Sequence, residues 1–227
     1  MKILNILCEG VTEELFVKRV LKEHLSAQGV IVKAQLLLTN SKLNARGGIL
    51  SYQQVKGDLQ RWVKVNAGKK NEEHYYTTMI DLYALPDDFP EYKEAVKVMD
   101  VYQRVRKLEE GFGNDMNMSD FIPYIQLHEY EALVFCGLEF LPEYYPQSAQ
   151  AVKKLQKVLE QFSGNPEKID SGRTTAPSKR LGDALSAVHY HYEKTRVGVE
   201  IALRVGLPAL RERCRHFDAW IQRLEQI

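Results

Sequence analysis

As far as residue 136 the chain alternates short apolar runs with stretches of helical period, and this alternation constrains the fold more than any other feature. Residues 3–8 form an apolar run of the kind that makes a buried strand. Phe16, Val17, Val20, Leu21 and Leu25 then repeat at helical spacing, with Thr12 as the expected N-cap, Glu13 and Glu14 in the first turn, and Gly29 as the stop. A second strand is expected over 31–38, a polar loop over 40–48, and an amphipathic helix through Tyr52, Val55, Leu59, Trp62 and Val63. A third strand over 75–80 ends at Asp81, and a turn-rich stretch at 85–90 follows. A helix over 92–110 would face Met99, Tyr102, Val105 and Leu108 inward, with a loop at 111–119. A fourth strand over 121–127 contains Pro123, which marks an edge or a strand end. Strands alternating with helices predict an α/β fold: a mostly parallel sheet flanked by helices.

Beyond residue 136 helical stretches dominate, at 147–162, 178–191, 197–205 and 207–226, separated at 163–177 by a loop with two glycines and two prolines. The expected organisation is an α/β core over 1–136 and a helical C-terminal region over 137–227, packed on the core as one structural unit. The 227 residues suffice for a substantial core. With 44% hydrophobic and 27% charged residues, disorder and coiled coil are poor readings. The net charge of +1 gives no bulk pull towards nucleic acid, so a phosphate-binding surface would have to be local. Cys8, Cys136 and Cys214 are far apart and show no zinc spacing, which fits a reducing cytoplasm. No segment reads as a signal peptide or a membrane span.

In a parallel sheet, functional groups gather at the carboxyl ends of strands. Glu9 ends the first strand, Asp81 ends the third, and His128-Glu129-Tyr130-Glu131 follows the fourth. Glu13 lies one helical turn beyond Glu9. Clustered carboxylates repel unless a cation or a raised pKa relieves them. Hard oxygen ligands suit Mg²⁺ or Mn²⁺, which retain waters and engage phosphate oxygens. Each acid has a plainer reading: Glu13 and Glu14 as helix-start acids, Asp81 as a turn residue. Glu9, directly after a buried strand and before Gly10, is harder to explain that way.

Ser178-Lys179-Arg180, with Arg173 nearby, reads either as a phosphate clamp at a helix start or as a solvated helix end. Lys194 is a weaker candidate. His128 could ligate metal, orient a carboxylate or cap the strand end. His189 and His191 are expected on different sides of a helix, and His24 towards solvent. Tyr75, Tyr76, Tyr144, Tyr145, Tyr190 and Tyr192 could stack on bases, although packing is the commoner use. Trp62 and Trp220 read as core. There is no Gly-x-x-x-x-Gly-Lys loop for ATP.

Several segments together carry a resemblance that covers most of the chain. Residues 8–17 (CEGVTEELFV) resemble the first TOPRIM motif as found in OLD-family nucleases. With residues 79–86 (MIDLYALP), 124–135 (YIQLHEYEALVF), 175–181 (TAPSKRL) and 214–220 (CRHFDAW), the chain resembles the DUF4276 family of bacterial and archaeal proteins. The resemblance implies a TOPRIM-like fold, often encoded beside an AAA or ABC-type ATPase in suspected phage or plasmid defence. By motif, Glu9 matches the TOPRIM glutamate and Asp81 the first aspartate of the paired-aspartate motif. The second aspartate position is Tyr83, so Glu129 or Glu131 would have to replace that ligand. The implied activity is Mg²⁺- or Mn²⁺-dependent cleavage of DNA or RNA. Glu9, Glu13, Asp81, Glu129 and Glu131 would hold metal and water, while Lys179, Arg180 and Arg173 would hold phosphate; Glu9, Asp81 and Lys179 would be catalytic, Lys179 by neutralising transition-state charge. The alternative is a non-catalytic partner or sensor of the ATPase with a degenerate site. Oligomeric state stays open.

Overall fold

The computed structural model describes residues 1–38, 48–169 and 172–227. The loop expected at 40–48 lies outside the described residues except for Gly48. The chain forms two compact units, residues 1–125 with 222–227, and residues 126–221.

The first unit is built on β1 (Lys2–Cys8), whose every residue after Lys2 is buried. It pairs in parallel with β2 (Val30–Leu36) on one side and β3 (Glu73–Asp81) on the other, with Cys8 opposite both Leu36 and Met79. The sheet order is β2-β1-β3-β4, with β4 spanning Phe121–Ile122 and β5 (Ile125–Gln126) also beside β3. This is the mostly parallel sheet that the alternation predicts. Asn5, a polar residue in the fully buried strand, is satisfied by donating to the carbonyl of Tyr75 at 3.0 Å and accepting from Asn66 at 3.4 Å. The single fourth strand expected over 121–127 is two short pieces. Pro123 has no N–H to pair, and β3 compensates with hydroxyls: Thr77 donates to the Ile122 carbonyl and Thr78 to that of Tyr124, both at 2.6 Å.

Helices connect the strands. α1 (Val11–Phe16) continues through a π turn at Val17–Leu21 into α2 (Lys22–Ser26). His24 is partly exposed and meets Glu225 at 2.7 Å. α3 (Tyr52–Asn66) is capped by Ser51, and Trp62 on it is only half-buried. The helix expected over 92–110 is two helices, α4 (Tyr92–Ala95) and α5 (Val101–Met116). Asp100 caps the second through the Gln103 N–H at 2.9 Å, which leaves Met99 in the link, 91% exposed instead of inward. α5 also runs through the expected loop at 111–119 as far as Met116. Gly111 lies within the helix, and a Cβ there would stand 2.7 Å from the Glu91 Cγ; the glycine serves close packing, not a turn. Tyr52, Phe89, Phe112 and Phe121 form an edge-to-face aromatic cluster, with centroids 4.8–5.7 Å apart along its contacts.

The second unit is helical, as expected of the C-terminal region. It comprises α6 (Glu131–Val134), a 3₁₀ segment over Phe135–Phe140, α7 (Leu141–Tyr144), α8 (Ala149–Gln161), α9 (Pro177–Ser186), a π turn at Lys194–Gly198, α10 (Val199–Val205), α11 (Leu207–Arg213) and most of α12 (Arg215–Glu225). The helix expected over 207–226 breaks at Cys214, which is extended and buried. The fully buried Glu167 carboxylate accepts the N–H groups of His216 and Phe217 at 3.0–3.1 Å and so caps α12. Trp220 is core, as expected. Among the described residues no helix is long and apolar enough to cross a membrane.

Asp115 offers a direct test of how α3 is held to α5. Its carboxyl is held below the usual carboxylate range by hydrogen bonds from Lys56, at 2.7 Å, and from Tyr52. A depressed folded pKa stabilises above the unfolded value, and the gain is lost as pH falls through the folded one. Asp115→Asn should therefore cost about 1 kcal/mol near neutrality, allowing for the exposure of the pair. Urea melts of both proteins should converge as the pH is lowered through the acid range.

Candidate functional site

The end of β1 places the first group of candidates. The Glu9 N–H donates to the Met79 carbonyl at 3.0 Å, carrying the pairing one residue past the strand. The Glu9 Oε2 accepts the Asp81 N–H at 2.9 Å. One carboxylate thus ties together the carboxyl ends of two adjacent parallel strands. Gly10, not Thr12, is the N-cap of α1: the chain is still extended there, and its carbonyl takes the Glu14 N–H at 3.1 Å. A Cβ on Gly10 would stand 3.0 Å from the Glu13 Oε2, so the Glu13 carboxylate lies back over the turn. Glu13 and Asp81 are both buried, and a Cβ on Gly48 would stand 4.0 Å from the Glu9 Oε1. Glu9 and Asp81 therefore meet at one corner, with the Glu13 carboxylate over the adjoining turn at Gly10.

The corner is electrostatically negative. Burial pushes the Cys8 thiol well up, and the charges of Glu13 and Glu14 push it further against the opposing pull of Lys18. Glu14 is set apart from Glu13 by a surface ion pair with Lys18 at 2.8 Å. Tyr83 lies half-buried in the turn after Asp81. Among the described residues no three or more His, Cys, Asp or Glu stand together as a metal-holding group. The donor set does not fit a closed protein cage. A hydrated Mg²⁺ or Mn²⁺ ion would need only one or two carboxylates, taking its other ligands from water and phosphate. Glu9 and Asp81, with Glu13 over the turn, would hold it.

In the second unit the His-Glu-Tyr-Glu segment divides its labour. His128 is buried at φ 60°, a left-handed conformation that a non-glycine residue adopts at a cost. Glu129 accepts the Ser178 N–H at 2.8 Å and the Ser178 hydroxyl at 2.9 Å. It thereby caps α9, whose N-cap residue Ala176 has no side chain to do so. The Tyr130 hydroxyl donates to the Gly198 carbonyl at 3.4 Å. Glu131 is fully buried and meets Lys194 Nζ at 3.3 Å. The Tyr192 phenol is pushed up by its burial and then by the Glu131 charge; a Cβ on Gly198 would stand only 2.7 Å from its oxygen.

The basic candidates also separate. Arg180 donates to the Thr175 carbonyl at 2.6 Å and lies over the Phe162 ring. Lys179 and Arg173 are exposed. α9 ends at Ser186, five residues short of the expected 191. Its end is a Schellman turn, with Tyr190 N–H to Leu185 O at 2.9 Å, His189 N–H to Ser186 O at 3.0 Å, and His189 at φ 66°. His189 and His191 consequently do not lie on opposite sides of a helix. Both line one pocket with Ser178 and Lys179. No residue pattern signals this, because the left-handed position usually taken by glycine is held by His189.

The model of a family described as a domain of unknown function, DUF4276, matches residues 8–225. No curated protein and no solved structure matches the chain.

The cap on α9 can be tested by itself. Glu129→Ala removes both acceptors from Ser178 and should destabilise the protein by about 2 kcal/mol, the scale of a buried hydrogen bond to a charged acceptor together with a helix cap. Chemical denaturation would measure the loss, and Glu129→Gln, which retains one acceptor oxygen, should lose less.

Proposed function

The chain belongs to the DUF4276 family, and from the corner at Glu9 and Asp81 we propose that it is a divalent-metal-dependent protein cleaving phosphodiester bonds of DNA or RNA. The observation that carries this reading is the hydrogen bond from the Asp81 N–H to the Glu9 carboxylate, which orients Glu9 across the open ends of neighbouring parallel strands, beside the residue that ends the next one. Parallel sheets present their ligand sites at that edge. The strand order β2-β1-β3-β4 and the single glutamate after β1 support a TOPRIM-like reading of the same corner.

A bound Mg²⁺ or Mn²⁺ supplies an activated water and offsets charge at the phosphate oxygens. The chain's own part is to hold Glu9 in place beside Asp81. The backbone hydrogen bond orients Glu9, and the turn at Gly10 lets the Glu13 carboxylate approach. Acids at one strand edge would gain from a cation, which relieves their mutual repulsion. In this reading the protein is the cleaving subunit of an ATPase–nuclease pair of the defence type.

One observation favours a second reading. Tyr83 stands where a second aspartate would be, while Glu129 and Glu131 already engage Ser178 and Lys194. A non-catalytic partner of the ATPase would carry such a reduced site. Strong capture of the ATPase, with no Mn²⁺ affinity in the isolated chain, would decide for it.

Glu9→Gln separates chemistry from structure, because the amide oxygen can still accept the Asp81 N–H. It should melt close to the parent, bind Mn²⁺ at least about tenfold more weakly, and lose metal-dependent cleavage. Glu9→Ala should in addition lose about 1 kcal/mol of stability. Mn²⁺ binding followed by electron paramagnetic resonance, with a nuclease assay, checks both. Undiminished cleavage by Glu9→Gln would sink the assignment.

A further inference from the structure

The second unit contains a pocket of about 610 Å³, lined by α9 and the turn that follows it. The volume falls in the range of small-ligand sites, roughly 300–1,000 Å³. Its groups are of complementary kinds. Lys179 is exposed and forms no ion pair with any described residue. His189 and His191 add two imidazoles to the lining. Tyr190 packs against the Tyr145 ring, centroids 5.2 Å apart, and its remaining surface faces the pocket. Asp183 contributes a carboxylate, and at Gly182 an added Cβ would meet nothing within 4 Å.

These groups match the parts of one ligand class. An ammonium and two imidazoles suit a phosphate monoester. A flat phenol ring suits a base, since stacking tolerates any of the four. A carboxylate accepts from ribose hydroxyls, as it does in dinucleotide sites. We propose that this pocket binds a nucleoside monophosphate, with the phosphate at Lys179, His189 and His191, the ribose at Asp183 and the base on Tyr190. The imidazoles and Asp183 form no three-ligand group, so they are not set as a metal cage. The lining comes from one short stretch of chain and the net charge is only +1, which suits one phosphate better than a nucleic-acid strand.

His189 supplies an independent argument. It occupies the left-handed C′ position where glycine would be easier. Strain kept at a pocket wall points to use of the side chain. His189→Gly should therefore leave the melting temperature unchanged or raise it, while weakening the ligand.

The test is calorimetric titration of the full chain with AMP, GMP, CMP and UMP, and with adenosine and inorganic phosphate as partial ligands. Saturable binding of the monophosphates is expected, tighter than either partial ligand. Lys179→Ala and His189→Gly should each weaken it about tenfold or more at unchanged fold, read by circular dichroism. The proposal is overturned if phosphate alone binds as tightly as a monophosphate, if the two variants bind like the parent, or if only oligonucleotides bind. It is equally overturned if none of these ligands binds at millimolar concentration.

Discussion

Two parallel hydrogen-bond ladders hold β1 between β2 and β3, and the rest of the first unit depends on that pairing. A strand buried on both faces has little freedom of register, because a shift by one residue would misplace every side chain. Register then dictates where the chain leaves the sheet. Cys8 ends opposite Met79, so Glu9 emerges beside Asp81 and its carboxylate reaches the next strand's backbone. The corner is thus a consequence of burying Ile3, Leu4, Ile6 and Leu7.

Buried carboxylates recur in the molecule, and most of them serve the backbone. Glu109 accepts the Ile125 N–H, Asp58 that of Leu38, Glu129 that of Ser178, and Glu167 those of His216 and Phe217. A charged acceptor on a buried N–H stabilises by about 1.5–3 kcal/mol, more than a neutral one. An acid in an apolar context is therefore ambiguous evidence of function in this chain. Glu9 shares the habit, yet differs in accepting from the residue that ends the next parallel strand and is itself an acid, Asp81. The difference lies in the company of the acid, not in its burial.

The same distinction applies to the helical unit. α9 begins under a carboxylate cap and ends in a left-handed histidine, and both ends carry groups of the pocket wall. Where the wall bears Lys179, two imidazoles and an aromatic face, structural needs alone do not account for the choice of residues. A glycine at 189 would serve the turn better.

The sequence by itself determined the alternation of strands and helices, the parallel sheet, the helical second half and the placing of Glu9 and Asp81 at strand ends. These follow from local periodicity and from the rule that parallel strands are joined by crossovers. Tertiary structure alone decided the break at Met99, the helix running through Gly111 and the early end of α9. It also decided the use of Glu129 and Glu167 as caps. Each of these turns on a partner distant in the chain: Glu91 against Gly111, Glu129 against Ser178, Glu167 against His216. Periodicity reports which face a residue presents to its neighbours in sequence. It carries no record of which distant group will meet that face, and it is that meeting which turns an acid into a cap and a turn into a pocket.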